Sequence, residues 1–456
     1  MSVEFDWQII EGDEDETEVV SPPPLKRPRR RLPRWLIGVA LMPVAALAIF
    51  AGYVTWTYRA QLSRVSAEVS VVAKSEAQAL AANDRESFMA LQDPDDSSWR
   101  TMQERRFGRT GRFGLPEYGL LAMSVAPQLG SVSLEPGGAR LDATYQFTVT
   151  QPMPSGPVTV TLRVPQFYKP TPSGWVHARP DAGFWGPQRS LSGKHVMVLY
   201  SQRDADIIEP LVPHIDAVLD RACSTLNCPS QVTLTFANSL DSLGGFRGFP
   251  YGRSDGTFTL QMLSPYLTGL PADEASRNEL YRAVESRIVR GLVATEWAGG
   301  QRFSFNSVAF QQLVRWHLSQ AGLAGPFITP EITTELVMAM RNGMWQPLSA
   351  ISLLARASGT SLTASDAMIP MAFEFISGRL GKDSLGKLAP AMATSSQLGD
   401  AIRTAFHINP ATLEADWQKY LYAQAGPSLM VKSTQDPTIG SNPVWSLDGK
   451  EANQRS

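Results

Sequence analysis

The stretch that decides the fold of the second half of the chain is residues 278–293, "NELYRAVESRIVRGLV". Apolar residues recur in it at every fourth position, at Leu280, Val284, Ile288 and Leu292. Side chains at this spacing share one face of an α-helix, so the stretch predicts a helix whose apolar face packs in a core. Glu285 is flanked by arginines, and we interpret it as a surface residue of this helix that forms ion pairs.

The composition sets outer limits on the class of protein. The chain has 456 residues, 43% of them apolar and 18% charged, with a formal net charge of −2. This length allows two or three domains. The charge balance lacks the basic excess of nucleic-acid-binding proteins, so we expect no nucleic-acid partner.

An uncharged run near the start of the chain predicts a membrane helix. Residues 35–56, "WLIGVALMPVAALAIFAGYVTW", contain no charged side chain. A helix of this length spans roughly 33 Å, enough for the hydrocarbon core of a bilayer. Basic residues are concentrated before the run, so the positive-inside rule places residues 1–34 in the cytoplasm and the rest outside. The expectation is a single-pass protein of the cell membrane whose partner is the lipid bilayer at 35–56.

The region after this run changes from helical to strand-like patterns. Residues 59–92 predict a helix, a second helix follows near 97, and from about 121 apolar and polar residues alternate as in strands. This order resembles the cone-shaped domain of the nuclear transport factor 2-like superfamily over roughly 60–188. Such a cone often encloses a pocket, and its candidate lining residues are Trp99, Tyr118, Trp175 and Trp185. The alternative is that these aromatic residues form the core.

The two cysteines of the chain lie close together, as Cys223 and Cys228 in "ACSTLNCPS". In a domain outside the cytoplasm this spacing indicates a local disulfide. The rival interpretation is a metal or redox pair, which lacks both further cysteines and the two-residue spacing.

The order of elements from 191 onward leads to a second resemblance. A strand, a long helix and two further strands precede the helix at 278–293, and "RWHLSQAGLAG" follows. The end of the region matches a pattern of the form "L.ea.W..yl" through Leu413, Glu414, Ala415, Trp417, Tyr420 and Leu421. Together these features resemble the peptidase MA-like family of gluzincin metallopeptidases over about 194–424. The resemblance implies a zinc site with an H-E-x-x-H helix and a glutamate ligand on a later helix.

The metal motif of that family is the part that this chain lacks. The two histidine positions are occupied by Val284 and Ile288, and Gln320 or Ala321 stands in place of the third ligand. Valine and isoleucine offer no lone pair to a metal. We therefore expect no metal ligand, no cofactor and no catalytic residue, with Glu285 as the one match to a catalytic motif position.

The histidines of the chain form no metal-binding motif elsewhere in the sequence. The chain has five histidines, and no two lie four positions apart, the spacing at which a pair shares one helix face. An unusual site around Glu285 would be indicated if any two of the histidines His195, His214, His317 and His407 lay close to Glu285. A lone histidine such as His317 is more often a packed or surface residue than a ligand.

The predicted fold class is α+β, with a single N-terminal transmembrane helix, a small cone domain and a mainly helical gluzincin-like domain that begins with a small sheet. The predicted segments are a cytoplasmic disordered arm at 1–34, the transmembrane helix at 35–56, the cone-like domain at 59–190, the degenerate gluzincin-like domain at 191–424 and a flexible tail at 425–456.

The leading functional hypothesis is a bacterial, membrane-anchored and extracytoplasmic pseudoenzyme that binds a peptide or protein partner as a scaffold. Two alternatives stay open at this point. One is an active metallopeptidase-like hydrolase with a non-standard site around Glu285, and the other is a transmembrane signalling component whose cytoplasmic arm reports inside.

Overall fold

The computed structural model describes residues 34–110, 114–115, 120–122, 127–149, 158–239, 251–254, 256–298, 307–353 and 364–426. The chain divides into two compact units, Met1–Gln61 and Leu62–Ser456. Almost all of the predicted arm at 1–34 and of the predicted tail at 425–456 lies outside the described residues. The predicted boundary between 190 and 191 falls inside the second unit and stays a prediction.

The first unit contains the beginning of a long helix, α1 (Arg34–Ala81). Within the described residues, no helix combines the length and the apolar character needed to cross a membrane. The predicted transmembrane helix over 35–56 is therefore wrong, and so is the fold class that included it. The lipid bilayer as a partner stays a prediction.

In the second unit, a turn interrupts the helix that the sequence predicts over 59–92. α1 ends at Ala81, and Asn83 adopts a left-handed backbone conformation with φ of 54°. Asp84 then caps α2 (Arg85–Ala90) by accepting a hydrogen bond from the Ser87 amide. A short polar side chain that tolerates this backbone and an N-cap aspartate together favour a break over a continuous helix.

The other elements of the second unit follow in chain order. The helices are α3 (Ser97–Thr110), α4 (Ala205–Ala222), α5 (Pro265–Thr268), α6 (Glu274–Ala298), α7 (Val308–Gln320), α8 (Pro330–Arg341), α9 (Ala364–Leu380), α10 (Ser384–Thr394), α11 (Leu398–Phe406) and α12 (Glu414–Ala425). The strands are β1 (Gly114–Leu115), β2 (Leu120–Ala122), β3 (Gln128–Glu135), β4 (Gly138–Val149), β5 (Thr159–Thr171), β6 (Gly174–Ala178), β7 (Gln188–Ser192), β8 (Val196–Ser201), β9 (Gln231–Ala237), β10 (Tyr251–Ser254), β11 (Thr257–Leu263) and β12 (Leu270–Pro271).

The first sheet is an antiparallel meander in the order β1-β2-β4-β5-β12, with β3 also paired to β4 and β6 to β5. β4, β5 and β6 lie where the alternating pattern predicts strands. The C-terminal part of α1 packs on this sheet through Val65 and Val69, which share a buried cluster with Leu141 and Tyr168. β12 reaches this sheet from much later in the chain, because Pro271 pairs with Leu162 of β5.

The second sheet has the order β10-β11-β9-β8-β7. Its inner strands β8, β9 and β11 are parallel, whereas β7 and β10 are antiparallel edge strands. The β8-α4-β9 unit is the β-α-β arrangement that the sequence predicts. Because the inner strands are parallel, their carboxyl ends at Ser201, Ala237 and Leu263 lie along one edge of the sheet.

The helices from α6 onward pack into one hydrophobic core together with both sheets. Trp417, which belongs to the C-terminal pattern, is fully buried, and its Nε1 donates to the Gln346 carbonyl oxygen at 3.1 Å. Glu414 of the same pattern accepts a hydrogen bond from the Leu348 amide at 2.8 Å. The residues that carry the C-terminal resemblance therefore have packing and capping roles here.

Candidate functional site

The helix that would present a zinc motif is a core helix. Val284 and Ile288 of α6 have 2% and 0% of their surface exposed, and they share one hydrophobic cluster with Leu280 and Leu292. The predicted apolar face of this helix is confirmed. Among the described residues, no group of three or more His, Cys, Asp or Glu side chains is arranged to hold a metal ion. Of the two candidates for the third ligand position, Gln320 is exposed and Ala321 is fully buried.

Glu285 is buried, so its interpretation as a surface residue is wrong. Only 7% of it is exposed, because residues of α4 lie beside this part of α6. Burial raises the pKa of Glu285, and electrostatic interactions with His214, Arg221 and Arg282 oppose that rise. A carboxyl group that keeps its proton to a higher pH can serve as a general acid or base.

The histidines are distributed rather than gathered around Glu285 in the part of the chain that the structure describes. His214 of α4 is the one that acts on the carboxyl group of Glu285. His195 instead is half-buried, with its Nε2 2.7 Å from Asp220 Oδ1. His407 ends α11 in a left-handed conformation with φ of 57°.

His317 is a packed core residue, which is one of the two alternatives to a metal ligand that the sequence leaves open. It is fully buried, and burial lowers its pKa to about 3, so the ring is neutral at physiological pH. The Thr225 hydroxyl donates to the Ala222 carbonyl and therefore accepts from His317 Nδ1 at 3.1 Å. The proton of the neutral ring accordingly lies on Nδ1.

Cys223 and Cys228 form a disulfide in the loop between α4 and β9, with a Cα–Cα distance of 5.3 Å. The loop is held to the helical layer as well, because the Asn227 amide donates to Glu296 Oε1 at 2.6 Å. The disulfide and this hydrogen bond fix the connection between the first two inner strands of the second sheet.

A cavity of about 230 Å³ lies between α3 and the carboxyl edge of the second sheet. Its walls include Trp99, Met102, Ala182, Trp185, Asn238 and Leu267. Asn238 directly follows β9. Ligands of open α/β sheets bind at the carboxyl ends of parallel strands, so this cavity occupies the expected position.

Two of the four predicted pocket residues, Trp99 and Trp185, line this cavity. Trp175 lies on β6, where its Nε1 donates to Glu68 Oε2 of α1 at 2.8 Å. Tyr118 lies outside the described residues. The aromatic candidates thus divide between a cavity wall and a helix-to-sheet contact.

Hydrogen bonds fix the side chain of Trp99 in the cavity wall. Its Nε1 donates to the His177 carbonyl at 3.0 Å and to Gln92 Oε1 at 3.2 Å. The His177 ring meets the Trp99 ring edge-on at 5.0 Å, and its Nδ1 lies 2.9 Å from Glu76 Oε2. Both members of this histidine–glutamate pair are buried. Sequence reasoning missed the pair, because Glu76 has the pattern of an ordinary solvent-facing helix residue.

The charged side chain in the cavity wall is neutralised by a neighbour. Arg179 forms a two-pronged ion pair with Asp96, through its Nε and Nη2 atoms. The guanidinium group lowers the pKa of Asp96. The pair therefore contributes little net charge to the cavity.

A buried carboxyl group lies in the neighbouring loops at the same edge of the sheet. Asp204 is fully buried, and its Oδ1 accepts a hydrogen bond from Ser264 Oγ at 2.7 Å. Burial raises the pKa of Asp204 to about 6. Its Oδ2 has no hydrogen-bond partner among the described atoms. Sequence reasoning missed this residue too, since an aspartate at the start of a helix is usually an exposed cap.

Comparisons with known proteins add no identification: no family model, no curated protein and no solved structure matches the chain.

Proposed function

We propose that this chain is a non-catalytic binding or scaffold protein of the bacterial cell envelope, built on a degenerate gluzincin-like fold, whose partner is a peptide or a protein. The observation that carries the proposal is the burial of Val284 and Ile288. The helix that would present a zinc site instead packs its two ligand positions in the core. The strand and helix order over 194–424 supports the same family resemblance.

The Cys223–Cys228 disulfide supports a location outside the cytoplasm. Disulfides persist in oxidising compartments and are rare where thiol reductants maintain free cysteines. The location proposed here is therefore extracytoplasmic.

The cavity beside Trp99 and Trp185 is the proposed binding site. It combines aromatic walls with a few polar side chains, of which Asn238 is one, and this is the usual make-up of ligand pockets. The hydrogen bonds that fix Trp99 keep one wall in place before a ligand arrives.

A hydrolase centred on Glu285 is the second candidate function. The observation that favours it is the raised pKa of this buried carboxyl group next to His214. Perturbed carboxyl groups of this kind are frequent in active sites but also occur in structural positions.

The test is to select peptides that bind the full chain from a library of random, unstructured sequences and then to examine them by mass spectrometry. Enrichment of peptides that remain intact after long incubation supports the binding function. Cleaved peptides, with cleavage abolished in Glu285→Gln, would move the hydrolase to first place. A library without enrichment or cleavage would contradict both candidates.

The zinc content of the purified chain, measured by elemental mass spectrometry after dialysis against trace zinc, gives an independent measurement. Well below one zinc per chain agrees with a core role for α6. One tightly held zinc per chain would contradict the proposal, because it requires a ligand set other than Val284 and Ile288.

A further inference from the structure

We infer that the cavity beside Trp99 and Trp185 binds a single large uncharged side chain, aromatic or aliphatic, of an extended peptide. This inference rests on the proposed binding function and names the part of the ligand that the site recognises. It follows from the size of the cavity, the charge of its described walls and the side-chain amide of Asn238.

The first step is the size of the cavity. Its volume of about 230 Å³ is below the range of about 300–1,000 Å³ that is typical for whole drug-sized ligands. One large side chain fits such a space, whereas a longer piece of peptide does not. The rest of the ligand must therefore lie outside, along the surface.

The second step is charge. The Arg179 guanidinium in the wall is paired with the Asp96 carboxylate through two hydrogen bonds. A charged ligand group would have to compete with that pair or remain unpaired in a site walled by Trp99 and Trp185. Placing an unpaired charge in such surroundings is strongly unfavourable. The walls thus select an uncharged side chain.

The third step concerns Asn238, whose side chain makes no hydrogen bond with the described part of the chain. It is half-buried in the cavity wall, directly after β9. An asparagine amide offers donors and an acceptor on one planar group, which matches the donor and acceptor of a peptide unit. Asn238 is accordingly placed to bind the backbone next to the inserted side chain.

The fourth step is the rigidity of the walls. Trp99 is fixed by its two hydrogen bonds, and Trp185 is 5% exposed with its ring edge-on to Phe184 at 5.3 Å. Walls that are already ordered lose little conformational entropy when a side chain enters. A single side chain can then bind measurably without the rest of a peptide.

The experiment is calorimetric titration of the full chain with four capped amino acids, the N-acetyl amides of tryptophan, leucine, lysine and glutamic acid. We expect the tryptophan and leucine compounds to bind at least about tenfold more tightly than the two charged ones. Equal binding of all four compounds, or preference for a charged one, overturns the inference.

A cavity-filling variant locates the binding. Ala182→Phe adds a ring to the cavity wall and should weaken binding of the tryptophan compound by at least about tenfold. The matched control is Ala217→Phe, the same change at an exposed position of α4 away from the cavity wall. Both variants must keep the circular dichroism spectrum and melting temperature of the original chain. Unchanged affinity in folded Ala182→Phe overturns the inference. If Ala182→Phe does not fold, Leu267→Trp provides the same test, because it enlarges another residue of the cavity wall.

Peptides from the library selection separate this inference from the proposed function. If they bind the original chain and Ala182→Phe with equal affinity, the chain is a peptide-binding protein whose site lies elsewhere. If no peptide is enriched, the proposed function itself fails.

Discussion

His177 Nδ1 lies 2.9 Å from Glu76 Oε2, and this buried contact joins α1 to β6. The backbone of His177 also binds Leu91 and Asp93, and its carbonyl accepts the indole hydrogen of Trp99. One residue thus connects the first helix of the second unit with the wall of the cavity. The stability of this region should depend on the pair far more than on the exposed ion pairs of the same helix.

Glu76→Ala is expected to lower the free energy of unfolding by about 1–3 kcal/mol, because it leaves the buried Nδ1 of His177 without its hydrogen-bond partner. Urea denaturation measures the change. Lys74→Ala is the control at an exposed position of the same helix, and its effect should be less than about 0.5 kcal/mol. Equal effects of the two variants would show that the buried contact contributes no more to the free energy of unfolding than an exposed side chain does.

Asp204→Asn should make the folded chain more stable at pH 7. Burial raises the pKa of Asp204 from 3.8 to about 6. Between these values the folded state keeps a proton that the unfolded state has lost, so the contribution of Asp204 to stability falls as pH rises through this window and stays low above it. The full difference corresponds to about 3 kcal/mol.

The measurement is the free energy of unfolding of both chains from pH 4 to pH 8. We expect the advantage of Asp204→Asn to grow as pH rises from about 4 to 6 and then to level off. The side-chain oxygen of the asparagine can still accept the hydrogen bond from the Ser264 hydroxyl, so the variant should fold. A difference that is constant with pH would mean that Asp204 does not titrate in this range.

Ile288→Ala should destabilise the chain by about 2–5 kcal/mol, the usual effect of truncating a large residue in a packed core. Ile288 is fully buried in α6, whereas Asn278 on the same helix is exposed. Asn278→Ala, compared in the same thermal and urea denaturation experiments, should change stability by less than about 0.5 kcal/mol. Comparable losses from both variants would contradict the core assignment of this helix face.

Replacement of both cysteines by serine should reduce stability by about 2 kcal/mol, because the disulfide closes only a short loop and restrains the unfolded chain modestly. Cys223 and Cys228 are separated by five positions. Thiol titration of the unfolded original chain, before and after treatment with a reductant, checks that the bond is present. Two free thiols before reduction would remove the support for an extracytoplasmic location.

The elements that the sequence predicts well are those whose signal is local. The four-residue spacing from Leu280 to Leu292 identifies the buried face of α6, and alternation locates β4 and β5, because each pattern needs only a few neighbouring residues. The uncharged run at 35–56 is also a local signal, yet it led to a wrong prediction. An absence of charge does not by itself establish a membrane span, and among the described residues no helix is long and apolar enough to cross a bilayer.

The site depends on contacts between distant positions, which no local pattern contains. Glu76 and His177 are 101 positions apart, and Asp204 and Ser264 are 60 apart. The burial of Glu285 likewise depends on α4, which is distant in the sequence. The arginines that flank Glu285 in the sequence indicated an exposed position instead. The sequence identifies Trp99 and Trp185 as large aromatic residues. It does not indicate which aromatic residues line a cavity and which pack elsewhere.

The pairing of β12 with β5 has a practical consequence for dissecting the molecule. Leu270 and Pro271 complete the edge of the first sheet, and Ser276 Oγ accepts a hydrogen bond from the Thr161 amide of β5. A fragment that stops at residue 190 would lose both, leaving the backbone of β5 open to pairing with other copies. Such a fragment is expected to aggregate, so the two sheets have to be expressed, purified and crystallised as a single piece.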